Sequence, residues 1–268
     1  MYSSQKAIGT GFSMNIMFTR IKCAIFFWIK FAFFYFKSLT NAKASTIDKK
    51  IVVYTANFGS YDSLPYTVEQ TFNVDWVCFT DTPTSSKKWR CILENKPMSG
   101  YDNRMKAKWY KINSHKIDVL QDYDYSIYID SSAVICNPRF VEKILLATES
   151  IGLFLHSERS SIIDEALVSQ AQRKYRGLDL VLQASNYVDE MGKDSVLWAG
   201  GVIVRKSDVS RLNEHWWSCM DESPQDQISL PIALYRSSTV ASKLPGSIFK
   251  NPYIMFWTCH RMFEHRTD

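Results

Sequence analysis

The stretch SIYIDSSAVI sets one acid and two hydroxyls, Asp130-Ser131-Ser132, directly after an apolar run. Such hard oxygen donors suit Mg2+ or Mn2+, which takes few ligands from protein and the rest from phosphate and water. Asp130 and Ser132 are the candidate ligands, with His260 or His265 of the tail as a third. A second acid is missing, so the competing reading is a polar strand end at a turn. A second group lies upstream, where Arg104, Lys108, Lys111 and His115 recur at helical spacing. At about 100° per residue they fall within about 60° of one another, a basic line beside an apolar face of Met105, Trp109 and Ile112. Like charges so stacked repel unless solvated or given an anion. A diphosphate would meet that need through charge-assisted bonds; a solvated face is the plain alternative.

These groups need a frame that brings them together. From Ile51 onward, short apolar runs alternate with amphipathic ones. The runs at 51–54, 74–81, 125–130, 151–156 and 195–206 read as strands, the last broken by Gly200-Gly201. Helices are expected from Asp102 to about Leu120 with Asp102 as N-cap, over about 164–174, and over the runs VSRLNEHWWSCM and DQISLPIALYR. Such alternation predicts an α/β domain over 51–268 with a mixed, mainly parallel sheet flanked by helices. Ligands in these sheets sit at the carboxyl ends of strands. Thr55 to Asp62, Thr80-Asp81 and Asp130–Ser132 all hold such positions. Asp81 could accept from a base or ribose, Thr55 and Asn57 could serve the same pocket, and Gly59 permits close approach or a positive φ, with a turn role the competing reading for each.

Later residues fit the same pocket. Trp198 with Gly200 and Gly201 would receive an acceptor sugar, unless the glycines only make a tight turn. Asp226, at or before a helix start, would act as base or orient the sugar, although an N-cap aspartate is as common. His156, Glu158 and Arg159 follow a strand and could face the same space.

Composition limits the rest. The chain has 268 residues, 46% hydrophobic and 14% aromatic, enough for one sizeable core. Net charge is +5, but eight of the 32 Lys/Arg and one of the 27 Asp/Glu fall in residues 1–50. The body is thus near neutral, and nucleic acid is a poor partner for it. The six cysteines form no CxxC pair, and Cys78 in an apolar run reads as a buried thiol. Residues 1–50 form a basic, apolar arm and polar linker. Within it, KCAIFFWIKFAFFYFK (22–37) has an apolar core of only ~21 Å as a helix, short of a ~30 Å bilayer core. Lys22, Lys30 and Lys37 share one side, which suits a helix lying in a membrane interface. A short signal anchor and a helix packed on the protein's own core are the rivals.

The segments VVYTANFGSYD, WVCFTD, DNRMKAKWYKINSH, YSIYIDSS, HSERSSIIDEA, GGVIVRK and DQISL, in that order, resemble a glycosyltransferase-like family, formerly a domain of unknown function. It includes plant mucilage-biosynthesis proteins and bacterial proteins, and the resemblance covers about residues 51–266. It implies a GT-A-type, Rossmann-like fold, a nucleotide-sugar donor, a polysaccharide or glycoconjugate acceptor, and Mn2+ or Mg2+. By position it makes Asp130 the metal-binding acid, Arg104, Lys108 and Lys111 the basic helix, and Asp226-Gln227 the late acidic motif. His156, Arg159 and Glu165 match a cluster without an assigned role, and Ser132 departs from the fuller metal motif. The expectation is a metal-assisted, membrane-associated glycosyltransferase, on the cytoplasmic face if bacterial and type II in the Golgi if eukaryotic. A non-catalytic sugar or nucleotide binder and a nucleotide-sugar hydrolase are the alternatives.

Overall fold

The computed structural model describes residues 8–39, 47–94, 100–192, 196–206 and 208–256, with the side chains of the first helix described over 22–37. In chain order the elements are α1 (Ile8–Leu39), β1 (Ile51–Asn57), β2 (Tyr66–Thr67), β3 (Asp75–Thr80), β4 (Arg90–Leu93), α2 (Asn103–Ile112), α3 (Asp118–Gln121), β5 (Tyr125–Ile129) and β6 (Ala133–Ile135). There follow α4 (Phe140–Leu146), β7 (Ile151–Leu155), α5 (Ile162–Gln170), α6 (Leu180–Met191), β8 (Trp198–Arg205), α7 (Ser210–Ser218), α8 (Asp226–Ser237), β9 (Ala241–Ser247) and β10 (Ile254–Phe256).

The main sheet has the order β4-β3-β1-β5-β8-β7-β9. All its pairings are parallel except those of β8, which runs against both β5 and β7. The expected mixed, mainly parallel sheet flanked by helices is therefore present. Its apolar strands alternate between two cores, as the two-residue period requires. Val53, Cys78, Ile127 and Val204 pack on α4. Val52, Tyr54, Phe79, Tyr128 and Ile203 pack on the other face with Tyr110, Ile112, Leu212 and Trp216. A small second sheet, β10-β6-β2, is centred on β6, the strand that follows Asp130.

Two local expectations are corrected. The helix from Asp102 does not reach Leu120: α2 stops at Ile112, and a 3-10 turn (Ser114–Lys116) and α3 follow. The Arg205 guanidinium donates to the Lys111 carbonyl at 2.8 Å, which satisfies an acceptor at the helix end. His115 accordingly leaves the basic line and lies against Asn213 and Glu214. The Gly200-Gly201 pair does not break its strand. β8 continues through it as a bulge, since Leu153 pairs with Ile203 while Phe154 pairs with Ala199.

The apolar run at 22–37 is helical, but its helix starts as early as Ile8. Phe27, Phe31 and Phe34 pack against Val134, Cys136 and Met255 of the small sheet and its margin. Phe31 and Trp28 also meet the Tyr66 ring edge-on, at centroid distances of 5.5 and 5.8 Å. One side of α1 is thus packed on the domain's own core. Among the described residues no helix is long and apolar enough to cross a membrane.

Candidate functional site

The carboxyl ends of β3, β1 and β5 lie side by side, and β8 enters next to β5. This is where the sequence groups meet. Asp102 accepts from the Met105 amide at 2.7 Å and starts α2 above the sheet. That start fixes the face on which Lys108 and Lys111 project. Both ammonium groups converge on Asp226, Lys108 at 2.5 Å from Oδ1 and Lys111 on Oδ2. Asp226 is 6% exposed and is the first residue of α8, where a negative charge also suits the helix dipole. Lys111 lies 3.9 Å from Asp130 as well.

The glycine pair makes room for this cluster. A Cβ on Gly200 would lie 2.7 Å from Lys111 Nζ and 3.2 Å from Asp226 Oδ2. One on Gly201 would lie 3.2 Å from Asp130 Oδ2 and 3.1 Å from the Phe256 ring. The expected close approach is therefore between the strand and the protein's own charged groups. The Gly201 carbonyl also accepts from the Asp130 amide at 2.9 Å, which sets the turn after β5.

Charge in this enclosure is strongly coupled. Burial works against ionisation of Asp226, but Lys108 and Lys111 outweigh it and hold the carboxyl far below the usual range. Burial pulls Lys108 below the ordinary lysine value, against the attraction of Asp226. For Lys111 burial also works downward, but Asp226 and Asp130 together keep the ammonium above that value. Asp226 is therefore a weak base as it stands here, because a carboxylate that binds a proton so poorly cannot take one from a hydroxyl. Tyr128, which no sequence pattern singled out, donates to Asp130 Oδ1 at 3.1 Å. Burial first, then the charge of Asp130, pushes its phenol well above the usual value.

A second cluster supports the first. Glu165, 2% exposed, accepts from Arg159 Nε at 2.5 Å, from Ser169 at 2.9 Å and from the Gln225 amide at 2.8 Å. Tyr175 donates to the same Gln225 at 3.1 Å. His156 lies 3.9 Å from Glu165, and its Nδ1 accepts from the Arg159 amide at 3.0 Å. Burial and Arg159 lower the imidazole pKa and keep it neutral. His156, Arg159 and Glu165 thus come together, as a satisfied network that holds Gln225 and, through it, Asp226. Gln225, Ser169 and Tyr175 were missed by sequence reading; Gln225 was signalled only by adjacency to Asp226, Ser169 only by its place one helical turn after Glu165, and Tyr175 by nothing.

The remaining candidates divide. Asp81 accepts from the Gly59 amide at 2.8 Å, with Gly59 at a φ of 69°. This ties the β1 and β3 ends at the rim. Asn57 is closed onto the backbone of Asp62, bonding its carbonyl and its amide, so it shapes the loop. Thr55 is wholly buried in β1, a strand covered on both faces. The Arg104 guanidinium lies over the Tyr175 ring at 5.6 Å, further along the same helix face. Trp198 packs on the core beside α2, and Gln227 is partly exposed in the first turn of α8. Ser132 is buried, and His260 and His265 lie outside the described residues.

A divalent cation fits these donors sparingly. Among the described residues no group of three His, Cys, Asp or Glu could hold a metal. The Asp130 side chain is 35% exposed, however, and one strand-end carboxylate suffices where a diphosphate and water complete the shell. Asp130 would hold such an ion. Neither a family model nor a curated protein matches this chain.

Proposed function

We propose that the chain is a GT-A-like glycosyltransferase that moves a sugar from a nucleoside-diphosphate donor to a hydroxyl of a glycan or glycoconjugate. The observation that carries this reading is the convergence of Lys108, Lys111 and Asp130 at the carboxyl edge of a mainly parallel sheet. Two ammonium groups enclosed at that edge match the charge of a diphosphate, and low surrounding dielectric strengthens the match. Arg104, further along the same face, extends the positive line toward Tyr175. The ordered resemblance of residues 51–266 to a glycosyltransferase-like family points the same way.

Asp226 occupies the lysines in place of phosphate. On donor binding the phosphate oxygens would take over Lys108 and Lys111, and the released carboxylate would recover basicity as its positive neighbours turn away. In an inverting reaction Asp226 would then take the acceptor hydroxyl proton. The acceptor oxygen bonds the anomeric carbon while the bond to the diphosphate breaks. In a retaining reaction Asp226 would instead lie against the sugar and orient it. A divalent ion held by Asp130 would add charge stabilisation of the departing diphosphate.

The closed ion pairs of Asp226 also favour a second reading, a nucleotide-binding relative that does not turn over. Incubation with a panel of nucleotide sugars and Mn2+ separates the two. Release of nucleoside diphosphate that rises on adding acceptor supports transfer. Binding without release under every donor supports the second reading, and release that ignores acceptor indicates a hydrolase.

A further inference from the structure

The side of α1 turned away from the domain remains strongly apolar. Ile25, Phe26, Ile29, Phe33 and Phe36 are 55, 69, 63, 60 and 65% exposed. Their spacing puts them on one helical stripe opposite Phe27, Phe31 and Phe34. The stripe is continuous with a shallow apolar recess lined by Ala24, Ile25, Trp28, Ile29 and Ala32. A contiguous patch of this kind marks an interaction surface rather than scattered surface residues. Lysines border it: Lys22 at its start, and Lys30 and Lys37 along one edge. The Lys30 and Lys37 ammonium groups lie 5.6 and 5.8 Å from the Phe34 and Phe33 ring centres, so their stems run along the aromatic surface with the charge at the rim.

We infer that this outer face of α1 seats the protein on an anionic lipid bilayer surface, with the helix lying in the interface plane. Two features choose that occupant. The packed inner face leaves only one side of the helix for lipid, which suits a helix lying flat. The rim holds lysines without an acid between Lys22 and Lys37, complementary to anionic headgroups at the depth where the apolar stripe ends. Seating α1 also places the candidate site. Val134, which α1 packs upon, follows Asp130 by four residues, a span of at most about 14 Å. The strand-end carboxylate thus lies about one helix diameter, ~10 Å, plus that span from the lipid face.

Flotation of the full chain with phosphatidylcholine vesicles, with and without phosphatidylglycerol and without any nucleotide, tests the inference. Binding should favour the anionic vesicles by about a hundredfold, the sum expected for three rim lysines, and fall as salt rises. Lys22→Gln, Lys30→Gln and Lys37→Gln together should abolish that preference. Ile29→Asp with Phe33→Asp should abolish binding to both vesicles with unchanged melting, since both side chains are exposed. The inference is overturned by absence of binding to anionic vesicles, by equal binding to both lipids, or by a lipid-indifferent dimer that the double Asp variant dissolves. Because no donor is present, this result is independent of the transferase reading.

Discussion

Replacing Asp226 by asparagine keeps the shape of the side chain and removes the charge between two buried ammonium groups. Removing one partner of a buried pair usually costs about 3–5 kcal/mol. Lys111 keeps Asp130 at 3.9 Å, a gross attraction of about 4 kcal/mol at an effective dielectric of about 20, before solvent weakens it. Lys108, already below its usual pKa through burial, can shed its proton. Both routes place the cost near the lower limit, about 3 kcal/mol. For a chain of this size that lowers the melting temperature by about 6–12 °C at neutral pH. The pH dependence has a definite sign. The folded pKa of Asp226 lies below its ordinary value of 3.8, so its contribution is present above that value and is lost as pH falls further. The deficit of Asp226→Asn should therefore be full at neutral pH and shrink in strong acid. Inorganic pyrophosphate should raise the melting temperature of the variant more than that of the parent, since the lysines no longer have a competing carboxylate. Scanning calorimetry with and without pyrophosphate reads both effects. Melting within about 1 °C of the parent would refute the view that Asp226 neutralises the pair.

Asp130→Asn should remove the Mn2+ dependence of nucleoside-diphosphate binding while melting stays within about 2 °C of the parent; calorimetric titration that still shows Mn2+ enhancement rejects Asp130 as the ligand. Gly200→Ala puts a methyl 2.7 Å from the Lys111 ammonium, so it should displace that side chain and cost about 1–3 kcal/mol, read by urea unfolding. Burial pushes the thiols of Cys78 and Cys136 up to about 12, so in the native protein at pH 8 both should resist iodoacetamide and react once urea unfolds the chain. Peptide mass spectrometry would contradict that if either is alkylated in the native state.

What the sequence made legible follows from locality. β1, β3 and β5 are apolar runs of the right length, and their polar ends are written directly after them. The Asp102 cap is equally local. The end of α2 was not legible because it depends on Arg205, from a strand far along the chain. β9 was hidden for a related reason: ASKLPGS is a polar edge strand with a proline and a glycine, a composition that edge positions tolerate and pattern reading rejects. The basic line of α2 signalled a need for an anion or for solvent, and two of its four members, Lys108 and Lys111, meet a buried carboxylate. Its resident partner is Asp226, more than a hundred residues away, which the sequence offered only as a possible base or cap. The division of α1 into a packed and an exposed face also required the small sheet formed after Asp130, which no periodicity announced.

Isothermal titration of the chain with a panel of nucleoside diphosphates in Mn2+, repeated on Lys108→Ala with Lys111→Ala, asks whether the two lysines hold a diphosphate. At least one diphosphate should bind, the double variant should lose about tenfold or more in affinity, and the salt dependence of binding should shrink with it. Equal affinity and equal salt dependence in parent and variant would contradict that role, and the two lysines would then serve only to bury Asp226.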